Sequence, residues 1–330
     1  MPSVVLVIII VLFALCFDFI NGFHDTANAI ATSVSTRVLT PKQAILMSAF
    51  LNLVGALTST SVAKTVGADI VSPSSIPQTV VLAALLGAII WNLITWYFGI
   101  PSSSSHALIG GLIGAAVVAR GTFHIVNWVN FLDKVLLWLL LSPIIGFIVG
   151  YIIMVLLNWI LRKSRPDSVT KFFSKAQIVS AALMALNHGS NDAQKTMGII
   201  TMALVSGGIL TTFAVPVWVK LSCALAMAVG TSLGGWKIIK TMGMNMAKLA
   251  PVNGFAAETG AAAVIFTATM LHAPVSTTHI ISGSIMGVGA SKRLSSVKWS
   301  LAQTIVWTWV LTIPACGIMA AIVMSLLKII

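Results

Sequence analysis

The chain has very few charged residues, since only 8% of its 330 residues are Asp, Glu, Lys or Arg. Soluble domains carry roughly 25% of such residues, whereas 58% of this chain is hydrophobic. An aqueous fold could not bury so much apolar surface. The apolar runs are about 20 residues long and lack the alternation of barrel strands. The composition therefore predicts an all-α polytopic membrane protein.

Cysteine is equally scarce. The three cysteines lie far apart in apolar runs, and no CxxC spacing occurs, so we interpret them as free packing thiols and predict no cysteine metal or redox site. The N-terminus lacks the basic region of a secretory signal. We therefore predict that its apolar run is the first membrane helix.

Acids are the scarcest charged residues, with seven Asp and Glu against 19 Lys and Arg. The basic residues are spread among short loops and form no basic domain, which argues against nucleic acid as a partner. The positive-inside rule explains the excess better. It places the densest basic run, 162–175, and the loop 37–42 on the cytoplasmic side. The cluster of Lys292, Arg293 and Lys298 does not fit this scheme neatly.

Two polar motifs occur twice in these apolar surroundings. NGFHDTAN at 21–28 is echoed by HGSNDAQK at 188–195, and PSSSSH at 101–106 by PVSTTH at 274–279. The aspartates of the first motif are 167 residues apart and the histidines of the second are 173 apart. The similar shifts predict a duplication. The predicted units are a first transmembrane repeat at 1–161, a cytoplasmic linker at 162–175 and a second repeat at 176–330.

Each half contains about five hydrophobic segments. The segments are 3–35, 42–62, 78–99, 101–119 and 132–161 in the first half, and 176–206, 213–235, 255–272, 274–290 and 298–328 in the second. The first segment of each half is predicted to break at its motif, and the fourth is short enough to be re-entrant. An odd number of crossings per half would invert the second repeat and place both termini outside.

The paired aspartates, Asp25 and Asp192, are the strongest candidates for function. A carboxylate within the membrane is costly unless it is paired or binds a cation. Carboxylate and amide oxygens suit hard cations such as Na⁺, and Gly22 and Gly189 are expected to let each helix unwind and expose carbonyls. The predicted cation ligands are Asp25, Asn21, Asn28, Asn187, Asn191 and Asp192. The alternative is that each Asp only caps a broken helix.

The hydroxyl-rich motifs predict an anion site. Pro101 and Pro274 favour the first turn of a helix, so the following residues would present hydroxyls and free N–H groups at two helix N-termini. Two such termini from opposite halves could clasp one small oxyanion. The predicted ligands are Ser103, Ser104, Ser105, Ser276, Thr277 and Thr278, joined by Asp25 and Asp192 if the anion carries protons. The alternative is that the hydroxyls only join helices.

Four further residues are candidates for coupling. His106 and His279 recur at matching positions and are interpreted either as proton carriers or as donors that orient the anion site. Glu258 is an acid inside an apolar segment, and Lys195 aligns with Asn28 and could pair with an acid or with the anion. Metal binding by the histidines is not predicted.

The four ordered motifs resemble those of the inorganic phosphate transporter (Pit) family of bacterial type. The copy at 189–195 is close to that family's Gly-x-Asn-Asp pattern, whereas the first copy has His24 in place of Asn. The similarity covers nearly the whole chain. It implies phosphate uptake coupled to Na⁺ or H⁺, an inverted-repeat helical fold, a homodimer and a prokaryotic plasma membrane. It also implies that neutral metal-phosphate is a possible form of the substrate.

The sequence thus predicts a secondary active transporter that imports inorganic phosphate by cation symport with alternating access. One alternative is a permease for sulfate or another oxyanion on the same fold, and a second is an anion channel. No enzyme is predicted, because the Ser, His and Asp residues come in two matched sets and no G-x-S-x-G elbow surrounds a serine. No cofactor is expected apart from the coupling ion.

Overall fold

The structure is a computed structural model that describes residues 4–329. These residues form helices, short connections and two isolated antiparallel bridges. The first half comprises α1 (Val4–Ser35), α2 (Pro41–Thr58), α3 (Ser61–Lys64), α4 (Gln78–Phe98), α5 (Ser104–Arg120), α6 (Trp128–Phe131) and α7 (Leu137–Leu161). The second half comprises α8 (Pro166–Ser206), α9 (Val217–Leu233), α10 (Trp236–Lys240), α11 (Pro251–Met270), α12 (Thr277–Lys292) and α13 (Trp299–Leu327). The predicted all-helical membrane fold is confirmed.

Short π-helical turns extend three of these helices. Thr65–Asp69 continues α3, Leu132–Leu136 joins α6 to α7, and Thr241–Asn245 continues α10. As a result, α2 with α3 forms a span bent by 69°, and α9 with α10 forms one bent by 64°. The broken spans of this fold are therefore the second spans of each half, where the sequence did not place them.

The first helix of each half is continuous, so the predicted break at the acidic motifs is wrong. Helix α1 runs through 21–28 and α8 runs through 188–195 without interruption. The glycines of these motifs serve close packing instead. A Cβ on Gly22 would collide with the Met227 carbonyl oxygen, and one on Gly189 would collide with that of Asn52. Each glycine thus lets a broken span pack against the continuous helix that carries an aspartate.

The fourth segment of each half is one arm of a helical hairpin. Helices α4 and α5 pack against each other, with Gly111 against Ala84. Arg120 Nε at the end of α5 donates to the carbonyl of Ser75, just before α4, at 2.5 Å. Both ends of this hairpin therefore lie on one side of the molecule. Helices α11 and α12 form the second hairpin, where Gly289 near the end of α12 lies beside Ala247, just before α11.

The two halves have inverted topology. The Thr36 hydroxyl donates to Gln177 Oε1 at 2.9 Å, so α1 ends on the side where α8 begins, which we call the linker side. Each half then has three crossings, and its hairpin enters and leaves on one side. The α4–α5 hairpin opens away from the linker, since α7 follows it and ends at Leu161. The α11–α12 hairpin opens towards the linker.

The basic cluster of Lys292, Arg293 and Lys298 fits the positive-inside rule once the fold is known. Helix α12 runs parallel to α7, with Gly283 against Pro143 and Gly287 against Phe147. The end of α12 at Lys292 therefore lies on the linker side, as does the loop to α13. The non-helical connection between the halves is 162–165, because α8 already includes residues 166–175.

Candidate functional site

The hydroxyl motifs lie at the tips of the two hairpins. Ser103 is the N-cap of α5 and accepts a hydrogen bond from the His106 N–H, and Ser276 does the same for α12 with His279. The helices start three residues after the prolines, so the prediction of first-turn prolines is wrong. The serine side chain satisfies a free N–H and fixes the start. The tips of opposite halves meet, because Ser105 Oγ donates to the Val275 carbonyl at 3.4 Å.

Asp25 is buried where these tips converge. Its carboxylate accepts hydrogen bonds from Ser104 Oγ at 2.8 Å and Thr278 Oγ1 at 3.3 Å, one from each hairpin. His24 Nδ1 lies 2.8 Å from Asp25 Oδ1. The Nε2 atom of His24 is 3.0 Å from the hydroxyl of Thr95. The residue that replaces Asn in the first motif therefore orients the aspartate.

Asp192 is buried on the other side of the same cluster. Lys195 Nζ donates to Asp192 Oδ1 at 2.5 Å and to the Val275 carbonyl at 3.1 Å. Thr277 Oγ1 donates to Asp192 Oδ2 at 3.2 Å. The ion pair lies on one face of α8, three residues apart, and Lys195 is only 2% exposed. Lys195 therefore neutralises the second aspartate, as one of its predicted roles requires.

His188 completes a group of three ligands that sequence reasoning did not assemble. Its Nε2 is 3.4 Å from Asp192 Oδ2, and ligand atoms of Asp25, His188 and Asp192 all lie within 4.8 Å of one another. His188 Nδ1 lies 3.2 Å from Asn52 Oδ1. The Asn52 Nδ2 group donates to Thr231, which fixes Oδ1 as the atom that faces His188. Nδ1 is thus assigned as the donor, and the Nε2 lone pair faces the carboxylates. The signal in the sequence was the spacing of four residues between His188 and Asp192 on one helix.

Three predicted asparagines also contribute to the buried polar region. Asn28 Nδ2 donates to Thr277 at 3.2 Å and to Thr278 at 2.9 Å. Asn191 Nδ2 donates to Thr269 at 2.9 Å. Within residues 4–329, the amide oxygens of Asn21, Asn28 and Asn191 have no hydrogen-bond donor. Buried acceptors without donors are suited to a cation.

Three other predicted residues, Asn187, His106 and His279, contact partners other than the aspartates. Asn187 is half-buried and donates back to the Leu183 carbonyl at 3.0 Å, so the structure does not bring it into the cluster. The rings of His106 and His279 approach each other at 5.1 Å between centroids, and His279 stacks on Trp309 at 4.0 Å.

Glu258 forms a separate buried cluster. Its carboxylate accepts hydrogen bonds from Thr32 at 2.5 Å, from Gln177 at 3.0 Å and from Ser180. Thr32 lies seven residues beyond Asp25 on α1, which is two helical turns towards the linker side. Its three donors come from α1 and α8, and no local pattern in the sequence predicts them.

These features define a class of protein. It is a helical membrane protein of two inverted repeats whose polar residues, one set from each repeat, meet at the centre. Broken spans and hairpin tips at a repeat interface are typical of secondary transporters.

Comparison with known proteins identifies the family. A model described as "Phosphate transporter family" matches the chain twice, over residues 21–169 and 161–320. The chain belongs to this family, and the repeated match agrees with the internal duplication. The expected resemblance is thereby confirmed.

Individual relatives agree with this assignment. The chain is 53% identical over 329 residues to a "Probable low-affinity inorganic phosphate transporter" of Bacillus subtilis (strain 168), covering 99% of this chain and 98% of that one. It is 50% identical to a protein of the same description from Rhizobium meliloti (strain 1021), covering 94% and 92%. A solved structure described as "The sodium-dependent phosphate transporter" superimposes with a TM-score of 0.88 at 25% identity, covering 99% and 100%. The protein is a multi-pass plasma membrane protein.

Proposed function

We propose that this protein imports inorganic phosphate by cation symport with alternating access. The observation that carries this proposal is the meeting of two hairpin tips from opposite repeats on two buried aspartates. Hydroxyl donors and carboxylate acceptors lie in one cluster, which suits an anion and a cation bound together. Relatives described as inorganic phosphate transporters support phosphate as the anion.

The charges of the site require a cation before the anion. Asp25 and Asp192 bring two negative charges, and Lys195 brings one positive charge, in a region that excludes water. Phosphate would meet net negative charge and be repelled. A cation bound between the carboxylates removes this repulsion. The same interaction makes bound phosphate raise the affinity for the cation, and this reciprocity is the basis of coupling.

The cation site is proposed at Asp25, His188 and Asp192, with Asn28 and Asn191 as neighbouring amide ligands. Oxygen ligands favour Na⁺, and the superimposed structure is that of a transporter described as sodium-dependent. The imidazole lone pair of His188 also accepts a proton. Both coupling ions are therefore compatible with this site, and uptake under separate Na⁺ and pH gradients distinguishes them.

Phosphate is proposed to bind at the hairpin tips. In this conformation the hydroxyls of Ser104, Thr277 and Thr278 donate to the aspartates. Once a cation neutralises the carboxylates, these hydroxyls are free to donate to an oxyanion, as are the first-turn N–H groups of α5 and α12 that the Ser103 and Ser276 caps leave unbound. Phosphate near pH 7 still carries a proton to donate to Asp25 or Asp192, whereas sulfate carries none. The site therefore favours phosphate over sulfate.

Movement of the hairpins would expose the site alternately. Each hairpin opens on its own side of the molecule, so displacement of one tip connects the site to that side. No covalent chemistry is needed, and the protein is proposed to be a transporter without enzymatic activity. A homodimer and transport of neutral metal-phosphate remain predictions from the family resemblance.

The decisive experiment is uptake of ³²P-phosphate into proteoliposomes under an imposed Na⁺ gradient or an imposed pH gradient. Uptake driven by Na⁺ alone would support sodium at Asp25 and Asp192. Uptake driven by the pH gradient would support proton symport. Accumulation of ³⁵S-sulfate without phosphate would overturn the substrate while keeping the fold, and a current far above transporter turnover would favour the channel.

A further inference from the structure

A further acid, Asp18, is buried in the membrane-spanning part of α1. It is 0% exposed and lies seven residues before Asp25, or two helical turns, on the side away from the linker. Asp18 thus lies about 10 Å along α1 from Asp25, which contacts the hairpin tips. The phosphate and cation sites proposed above do not use it.

Among the described residues, one hydroxyl donates to the Asp18 carboxyl, and the Cys223 thiol of α9 adds a weaker hydrogen-bonding contact. Thr196 Oγ1 of α8 donates to Asp18 Oδ1 at 3.0 Å. In the part of the chain that the structure describes, Asp18 Oδ2 has no hydrogen-bond partner. An ionised carboxylate in such a place costs several kcal/mol unless it is paired. A bound proton removes that cost, so the geometry favours the neutral acid.

The charged groups that face Asp18 do not form an ion pair with it. Asp192 and Lys195 face it from α8, and the Cys223 thiol lies beside it on α9. The Lys195 ammonium is already bound to Asp192 and to the Val275 carbonyl. Further titratable groups on elements packed against α1 are Lys42, Tyr97, Asp167, Lys171, Lys175, His188, Lys220, Lys237, Lys240, Glu258, His279 and Lys292.

The ligands around Asp18 suit a proton better than a metal cation. A hard cation requires about six oxygen ligands, whereas the side chains that hydrogen-bond to Asp18 among the described residues are one hydroxyl and one thiol. Glu258 of α11, which contacts Thr32 two turns beyond Asp25, offers a contrast because three polar side chains donate to it. A negative charge on Glu258 would thus have three polar donors, whereas one on Asp18 would have a single hydroxyl and a thiol.

We propose that Asp18 binds the coupling proton of phosphate symport, at a position apart from the phosphate site. This inference rests on the proposed function and specifies its coupling ion. The proton adds to a carboxylate oxygen of Asp18 from water on one side and returns to water on the other, and no bond in phosphate changes. Phosphate at the hairpin tips adds negative charge near Asp192 and Lys195, which favours the protonated Asp18. Protonation in turn favours phosphate, as symport requires.

The test compares wild-type protein with Asp18→Asn in proteoliposomes. The amide keeps the shape of the protonated acid and cannot release a proton. Phosphate counterflow at equal pH and equal Na⁺ on both sides measures binding and movement without coupling. Accumulation under an imposed pH gradient, with pyranine reporting proton influx, measures coupling. A gradient of about one pH unit supports about tenfold accumulation per coupled proton.

We expect Asp18→Asn to keep counterflow and to lose both accumulation and phosphate-dependent proton influx. Asp167→Asn, at an exposed acid in the first turn of α8, is the matched control and should retain all three. Accumulation by Asp18→Asn at the wild-type level would overturn the proposal. Loss of both counterflow and accumulation, in monodisperse protein, would also overturn it, because Asp18 would then serve substrate binding or folding.

A second variant covers the case in which Asp18→Asn does not fold. Thr196→Val keeps the side-chain volume and removes the hydroxyl that donates to Asp18. We expect it to shift the pH dependence of gradient-driven uptake to higher pH, because the ionised acid loses its donor, and an unchanged profile would contradict the proposal. Wild-type counterflow with accumulation driven by Na⁺ alone would overturn the Asp18 proposal and leave phosphate transport standing. Absence of wild-type counterflow would overturn phosphate transport itself.

Discussion

Asp25 and Asp192 occupy equivalent positions in the two repeats, and each accepts a hydrogen bond from a threonine of the same α12 tip. Their charge environments nevertheless differ. Asp192 forms an ion pair with Lys195 at 2.5 Å, whereas Asp25 contacts His24 and accepts a hydrogen bond from the Ser104 hydroxyl. The duplication preserved the helices and the hydroxyls but not the charge balance.

Under the proposed cation symport, this difference predicts which half depends more on an external cation. The second half carries its own positive charge, because Lys195 stands where the first half has Asn28. The first half offers a neutral amide at that position, and its oxygen has no donor among the residues described. A transported cation would therefore contribute most at Asp25.

The largest expected effect comes from Asp25→Asn, which removes the charge that no lysine balances. We expect gradient-driven phosphate uptake to fall to background, because the proposed cation loses its main ligand. The measurement is ³²P uptake in proteoliposomes, with gel filtration to confirm a folded protein. Normal uptake by this variant would remove Asp25 from the cation site.

The next effect concerns the Lys195–Asp192 ion pair. Lys195→Met would leave a buried carboxylate without its partner, at a cost of about 3–5 kcal/mol. We expect a clear fall in the thermal unfolding temperature in detergent, and recovery of much of it in the double variant Lys195→Met/Asp192→Asn. Equal stability of the single and the double variant would show that Lys195 does not neutralise Asp192.

A smaller effect is expected from the hydroxyls that donate to each aspartate. Ser104→Ala and Thr277→Val each remove one donor to a carboxylate, a change of about 1–3 kcal/mol. We expect Ser104→Ala to raise the KM for phosphate more than Thr277→Val, because Lys195 still supports Asp192. Equal shifts in KM would contradict the proposed asymmetry.

The smallest effect is expected at the periphery of the repeats. Lys134 and Asp69 form an ion pair at 2.8 Å in which the lysine is 42% exposed. The second repeat has Asn245 at the position of Asp69, in the corresponding π-helical turn. Lys134→Gln should cost about 0–1 kcal/mol and leave uptake unchanged. A loss of uptake would show that the two repeats differ in function at their ends as well.

Much of this arrangement was predictable from local patterns. The duplication, the ten hydrophobic segments and the hairpin tips followed from the repeated motifs at matching spacing. The bent second spans did not follow, because their π-helical turns lie in ordinary apolar sequence. The glycines of the acidic motifs were misinterpreted, since a glycine in a helix suits either unwinding or close packing. Only the neighbouring backbone decides between them, as the Asn52 carbonyl does at Gly189.

The sequence by itself determined that this protein is a duplicated helical membrane protein, and its four polar motifs led to the phosphate transporter family. Composition and repeated spacing are properties of the chain that folding does not change. Tertiary structure decided which polar groups meet between helices: Ser104 and Thr278 at Asp25, Thr277 at Asp192, and Thr196 at Asp18. Such pairings join residues up to 253 positions apart. They depend on helix packing in three dimensions, which one-dimensional spacing does not specify.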